Sequence, residues 1–188
     1  MNHLGAQRYT KAELKQAGFK KVGSNVQISS RASIYGAKNI SLGNNVRIDD
    51  FSTIIATNEL SIGNYVSIHN YCFLGARWGI SIGDYVTLAP SCKIFSASDD
   101  YSGAYMTGVM VPEDLTGGNQ GKVVIEEHTI IGTNSIILPN ITLASGTSIG
   151  ANSLVKSDTE AWHIYHGTPA KIYKPRSREL LLLEKTIY

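Results

Sequence analysis

The sequence predicts an all-β fold, a chain of short parallel strands wound as a three-sided prism. Three observations carry that prediction. Aliphatic-Gly pairs recur every 20 residues, aliphatics recur every six residues within each block, and small or β-branched side chains follow four positions after the aliphatics.

The blocks open at Val22-Gly23, Leu42-Gly43, Ile62-Gly63 and Ile82-Gly83. Their ladders read Val22, Ile28, Ile34; Leu42, Ile48, Ile54; Ile62, Ile68, Leu74; and Ile82, Leu88, Ile94. After an interruption the spacing returns at Ile125, Ile131, Ile137, Leu143, Ile149 and Val155. That makes 18 positions in six triplets, every one Val, Ile or Leu. The second register runs Val26, Ala32, Val46, Ser52, Val66, Cys72, Val86, Cys92, Ser135, Ile141, Thr147, Ser153. A period of six with two inward positions fits neither an α-helix nor one alternating strand. It fits a strand, a corner and another strand, with three sides closing one coil. Coils stacked at the ~4.8 Å strand spacing give a prism roughly 30 Å tall. The residue after each aliphatic falls at a corner, where Gly23, Gly43, Gly63, Gly83, Ala89, Gly132 and Gly150 relieve backbone crowding.

The remaining segments break the prism. Residues 9–18 read as a short helix with a Thr10/Glu13 capping box and Gly18 as its stop, placed to cover the open bottom coil. Residues 95–123 leave the repeat and are expected to protrude as a loop; a stretch of this length is usually functional or disordered, and Tyr101, Tyr105, Met106 and Met110 argue against mere disorder. After Pro175, residues 176–185 read as a terminal helix whose leucines need the prism top or a neighbouring subunit to pack on. The expected organisation is one domain over 1–188: an N-terminal cap (1–21), coils (22–94 and 124–157), the loop (95–123) and a C-terminal extension (158–188).

Composition narrows the function classes. A net charge of +2 spread evenly over 188 residues excludes a nucleic-acid or membrane-surface protein. No apolar run approaches the roughly 20 residues of a membrane span. Met1-Asn2-His3-Leu4-Gly5 lacks the apolar core of a signal peptide, so a soluble, cytoplasmic protein is expected. Two cysteines form no disulfide framework, and no metal is expected, since His3, His69, His128, His163 and His166 show no three-ligand pattern on adjacent coils. Cys72 and Cys92 occupy the inward register and read as small core residues, which disfavours a covalent acyl-enzyme.

Departures from the repeat point to chemistry. His69 stands in a corner slot that elsewhere takes Gly, Ala, Ser or Asp. The same slot holds Asp49 one coil below and Ala89 one coil above. A carboxylate stacked under an imidazole orients one ring nitrogen and makes the other a general base. The competing reading is a solvated corner histidine above a solvated aspartate.

The pattern [Ile/Leu/Val]-Gly-x-x-[small]-x over residues 22–175 resembles the hexapeptide-repeat acyltransferases. That resemblance implies a left-handed parallel β-helix, a homotrimer with active sites between prisms, and direct transfer from acetyl-CoA in a ternary complex. Residues 65–99 are similar to the galactoside and maltose O-acetyltransferases. There the catalytic histidine's place is taken by Asp99, within Ile94-Phe-Ser-Ala-Ser-Asp99-Asp100, and the acceptor-binding asparagine's place by His69. The resemblance therefore implies an exchanged constellation: His69 as base, with Asp99, Asp100 or Asp49 as orienter or acceptor contact.

Ile131-Gly132-Thr133 and Ile149-Gly150-Ala151 resemble segments that line the family's pantetheine groove. Gly167-Thr168-Pro169-Ala170-Lys171 matches its Gly-x-Pro-Ala-Lys/Arg signature. The resemblance places Gly132, Thr133, Gly150, Ala151, Lys156, Pro169, Lys171 and Lys174 on acetyl-CoA, with a backbone N–H near Gly132 or Gly150 as the oxyanion donor. The expected function is acetyl-CoA-dependent O-acetylation of a bacterial capsule or O-antigen sugar or its precursor. Two alternatives stand beside it: N-acetylation of a nucleotide-linked amino sugar, and a non-catalytic β-helix subunit.

Overall fold

A computed structural model describes residues 7–187; His3 and the Met1–Gly5 stretch lie outside the described residues. The strands form three sheets, one per prism face. The first face stacks Lys21–Val22, Ile40–Leu42, Leu60–Ile62, Ile80–Ile82, Val123–Ile125 and Thr142–Leu143. The second stacks Gln27–Ile28, Arg47–Ile48, Ser67–Ile68, Thr87–Leu88, Ile130–Ile131 and Ser148–Ile149, then His163–Gly167 and Ala170–Pro175. The third stacks Ser33–Tyr35, Thr53–Ile55, Phe73–Gly75, Lys93–Phe95, Ile136–Ile137 and Leu154–Val155.

Strand register follows the period of six. On the second face Ile28 pairs with Ile48, Ile48 with Ile68, Ile68 with Leu88, Leu88 with Ile131 and Ile131 with Ile149. The other faces align their ladder residues in the same way, as in Ile82 with Ile125 and Ile94 with Ile137. Sixteen of the 18 ladder side chains are buried; Val22 and Ile34, on the bottom coil, are not. The register four positions on is also buried apart from Val26, and Thr129 belongs to it. Each buried aliphatic removes enough surface from water to contribute about 1.5–3 kcal/mol, which is why the ladder tolerates only Val, Ile and Leu.

The corners divide the labour between two slots. A Cβ at Gly43 would lie 2.5 Å from the Gly63 carbonyl oxygen, so on the lower coils of the first edge the slot after the aliphatic takes glycine. The left-handed turn sits two residues later, at Asn25, Asn45, Tyr65, Tyr85 and His128 on one edge and at Phe51, Tyr71, Ser91, Asn134 and Asn152 on the next. Asn tolerates this conformation through local hydrogen bonding, whereas Tyr and Phe are unusual there. Their rings stack from coil to coil: Tyr65 on Tyr85 at 5.0 Å, Tyr85 on His128 at 5.1 Å, and Phe51 on Tyr71 at 5.2 Å.

The N-terminal helix α1 spans Lys11–Gln16, and both halves of its capping box form: Glu13 N–H donates to Thr10 Oγ1 (3.2 Å) and Thr10 N–H to Glu13 Oε2 (2.7 Å). Leu14 is buried beneath the first coil, facing Ile28, Ala32 and Ile34 across a cavity of about 220 Å³. At the other end the structure adds what the sequence did not predict: His163–Gly167 extends the second face by a parallel rung, and Ala170–Pro175 folds back antiparallel upon it. Helix α2, Leu180–Glu184, lies along the second face rather than on the prism top. Leu180 and Leu183 line a cavity of about 430 Å³ with Tyr85 and Ile130, and Glu184 Oε2 reaches His128 Nε2 at 3.3 Å. Arg176 anchors this segment by donating from one guanidinium nitrogen to the carbonyls of His128 (2.7 Å) and Gly146 (3.0 Å). Among the described residues no helix is long and apolar enough to cross a membrane, and no group of three or more His, Cys, Asp or Glu is arranged to hold a metal.

Candidate active site

The prism edge between the second and third faces collects most of the residues singled out by sequence. Going up it, the corner slot holds Ser29, Asp49, His69, Ala89, Gly132 and Gly150. Coil-to-coil bonds lock these together: His69 N–H to Leu88 O (3.0 Å), Ala89 N–H to Ile131 O (2.9 Å) and Gly132 N–H to Ile149 O (2.8 Å).

His69 Nδ1 lies 3.4 Å from Asp49 Oδ2. The stacking expected from a 20-residue offset is therefore present. Asp49 is buried, with only 11% of its side chain exposed, and its other oxygen accepts from Arg47 Nε (2.8 Å) and Arg8 (2.9 Å). Burial alone would raise this carboxyl's pKa, but hydrogen bonds and charge from the two guanidiniums outweigh it, so Asp49 is held below the usual carboxylate range and stays ionised. The ionised Asp49 thus stands as a charge contact beside Nδ1, with Nε2 across the ring. The backbone is fixed too, since Ser52 Oγ donates to His69 O at 2.8 Å. The sequence reading missed both arginines. Arg47 sits one position before a ladder residue, a visible signal; Arg8 comes from outside the repeat and gives none.

Within one chain the carboxylate beside His69 is that of Asp49, and Asp99 and Asp100 lie on the loop. They leave the prism from a different edge, after Phe95. Asp100 organises its own loop: its carboxylate accepts from Ser102 Oγ (2.8 Å) and from the N–H groups of Ser102, Gly103, Ala104 and Tyr105. Those bonds, led by the Ser102 hydroxyl, hold its pKa below the usual range. The loop is folded rather than structureless. Ala97 bridges to Gln120 and Met106 to Thr116. A 3₁₀ turn, Glu113–Leu115, ties back to Arg77 at 3.3 Å.

The residues expected on the donor divide. Gly132, Thr133, Gly150 and Ala151 share the His69 edge on the fifth and sixth coils, roughly 10 Å and more above it by coil spacing. The turn carrying Pro169 sits atop the same edge, where Thr168 Oγ1 donates to Asn152 O at 3.2 Å. Lys171 and Lys174 follow on the exposed hairpin strand. Lys156 is different: it follows Val155 on the edge where the loop leaves. The N–H groups of the two glycines near which an oxyanion donor is expected are themselves bonded between coils. Gly132 N–H is spent on Ile149 O, and Gly150 N–H on Tyr165 O at 2.7 Å, so neither points at a substrate. The cysteines are core residues. Cys72 and Cys92 are buried, and their thiols donate to Ala89 O and Gly132 O, each at 3.2 Å. The Cys72 contact and burial push the Cys92 thiol's pKa up. Trp162 stacks beside His128 at 6.0 Å, under the Arg178 guanidinium.

Residues 122–157 match the bacterial transferase hexapeptide (six repeats) family. Over 173 residues the chain is 44% identical to the dTDP-4-amino-4,6-dideoxy-D-glucose acyltransferase of Escherichia coli, covering 92% of this chain and 90% of that protein. The chain belongs to the hexapeptide-repeat acyltransferases. It superposes with a TM-score of 0.94 on a serine-to-cysteine variant of AntD, an N-acyltransferase from Bacillus cereus, in complex with dTDP-4-amino-4,6-dideoxyglucose and coenzyme A. Identity there is 39%, with 98% of each chain covered. AntD in complex with dTDP and 3-hydroxybutyryl-CoA gives a TM-score of 0.93 and 39% identity over 97% of this chain and 96% of that one. The prism is thus the left-handed parallel β-helix of these acyltransferases, and the chain is an acyltransferase rather than a non-catalytic subunit.

One expectation is overturned. O-acetylation of a surface-polysaccharide sugar does not match these relatives, one named for a nucleotide-linked amino sugar and the other an N-acyltransferase. The chemical reason sits at Asp99, where the O-acetyltransferases carry histidine. A neutral amine attacks a thioester without the strong base that a hydroxyl requires.

Proposed function

We propose that this enzyme transfers an acyl group from acyl-CoA to the amino group of a nucleotide-linked amino sugar. The observation that carries this reading is the 44% identity, over nine-tenths of both chains, to an acyltransferase of dTDP-4-amino-4,6-dideoxy-D-glucose. The donor is an acyl-CoA, as in the AntD complexes. The acceptor nitrogen attacks the thioester carbonyl, a C–N bond forms, the C–S bond breaks, and the nitrogen's proton must leave. His69 Nε2 accepts that proton and returns it to the departing thiolate, with Asp49 holding the ring and stabilising its charged form.

Gly132, Thr133, Gly150 and Ala151 line the pantetheine's path up the His69 edge, and Pro169, Lys171 and Lys174 meet the nucleotide end, where fixed positive charge suits phosphate. Lys156, on another edge, has no part in this arrangement within one prism. The enzyme works as a homotrimer, with the loop of one chain reaching the groove of the next; the exposed Tyr101, Val109 and Met110 on that loop support this.

The test is a side-by-side assay of acyl-CoA with dTDP-4-amino-4,6-dideoxyglucose and with the same nucleotide sugar bearing hydroxyl in place of amine. Release of free CoA thiol with the amine alone, and an amide product by mass spectrometry, is expected. Turnover of the hydroxyl compound alone would overturn the reading.

A further inference from the structure

Two edges of the prism carry stacked rings, and they end differently. On the first, Tyr65, Tyr85 and His128 stack on successive coils at 5.0 and 5.1 Å, and Trp162, from the rung above Gly146, tilts over that glycine to lie 6.0 Å from His128. On the second, Arg31 lies 5.7 Å from the Phe51 ring, Phe51 stacks on Tyr71 at 5.2 Å and 16°, and there the run stops. The next rung is Ser91, with the same left-handed turn (φ +65° against +62° at Tyr71) but no ring. Tyr71 lies flat on Phe51, so its other face points up the edge toward that rung. The residue is 55% exposed.

The rung above Ser91 is Asn134, whose Nδ2 donates to Asn152 Oδ1 at 2.9 Å. Tyr71 and Asn134 are two coils apart, roughly 10 Å on strand spacing, which is room for one planar ring in van der Waals contact on both sides. A cation stands at this gap: Lys93 Nζ donates to Ser91 O (3.2 Å) and Asn134 Oδ1 (3.3 Å), both neutral oxygens. His69 is two residues before Tyr71 on the same coil.

We infer that the ringless rung at Ser91 seats the pyrimidine base of the nucleotide-linked acceptor, stacked on Tyr71, with Lys93 beside it for the anionic phosphates. A base stacked on an aromatic face gains affinity without needing a particular hydrogen-bond pattern, and a cation at the edge adds selectivity for nucleotide over free base. This inference rests on the nucleotide-sugar reading above and assigns that acceptor's base to a place on the edge.

The test uses the full-length protein and two variants, Tyr71→Ala and Ser91→Tyr. The second supplies the missing ring in a turn where Phe51 and Tyr71 already tolerate the same φ, so it should fold and keep its melting temperature. Calorimetric titration with dTDP should show affinity weakened about tenfold or more in both variants, with CoA affinity within twofold of the parent and the sedimentation coefficient unchanged. The inference is overturned if dTDP affinity stays within twofold in Ser91→Tyr. It is equally overturned if CoA affinity falls instead, which would assign the slot to adenine, or if assembly changes, which would make Tyr71 an interface residue. A parent enzyme that binds no dTDP would sink the nucleotide-sugar reading itself, and this inference with it.

Discussion

His69 stands one coil above Asp49, with Nδ1 3.4 Å from Oδ2, and the carboxylate beneath it is clamped by Arg8 and Arg47. The clamp keeps Asp49 charged beside the ring. The carboxylate is thus held by two arginines, one two residues away in the chain and one from the N-terminal segment.

Replacing His69 by alanine removes the proposed proton acceptor. Steady-state assay should show kcat lowered by about 100-fold, the low end for general-base removal because an amine needs less help, with KM for acyl-CoA little changed. Turnover within a few-fold of the parent would exclude His69 as base.

Asp49 links stability to pH. Its pKa is lowered in the folded state from an ordinary value of 3.8, so the stabilisation is present above about that pH and is lost as pH falls through the lower folded value. Asp49→Asn should therefore melt lower than the parent at pH 7, and the gap should shrink as the pH approaches 3. Thermal unfolding across that range measures it; a gap that stays constant would show that the carboxylate's charge is not the cause.

Gly43→Ala should destabilise the stack without touching the site. The new methyl meets the Gly63 carbonyl oxygen at 2.5 Å, and backbone held by ladder bonds on both sides yields little. A cost of about 1–3 kcal/mol is expected, read as a lower melting temperature with kcat preserved.

Cys92→Ala should retain turnover, because the thiol is buried and its pKa is raised. The native protein should also resist a thiol reagent until unfolded. Loss of activity with an unchanged melting temperature would reopen a covalent route.

The ladder was legible because a β-helix imposes its period on every coil: an inward slot that admits only Val, Ile or Leu writes itself into the chain 18 times. Asp49 under His69 was legible for the same reason, since equal slots in successive blocks must stack. What escaped the reading was non-periodic. Arg8 reaches Asp49 from a segment 41 residues away. The loop is held by one carboxylate, Asp100, bonded to its own backbone, which no hydrophobic pattern announces. The hairpin from His163 to Pro175 buries only Tyr165 fully, too little for a strand signal. The choice between hydroxyl and amine was legible only indirectly, through the aspartate at position 99, because the atom that differs belongs to the substrate.

The strand from Ala170 to Pro175 runs against all the others in its sheet and ends in a residue with no N–H to give. A stack of parallel rungs is otherwise an open template onto which a second molecule's first coil could be laid, and a third upon that. With a reversed strand at its head and α1 across its foot, the column offers no matching surface at either end. Growth into a fibre is thereby blocked, and the protein can be as regular as an amyloid along its length while remaining a particle of fixed size.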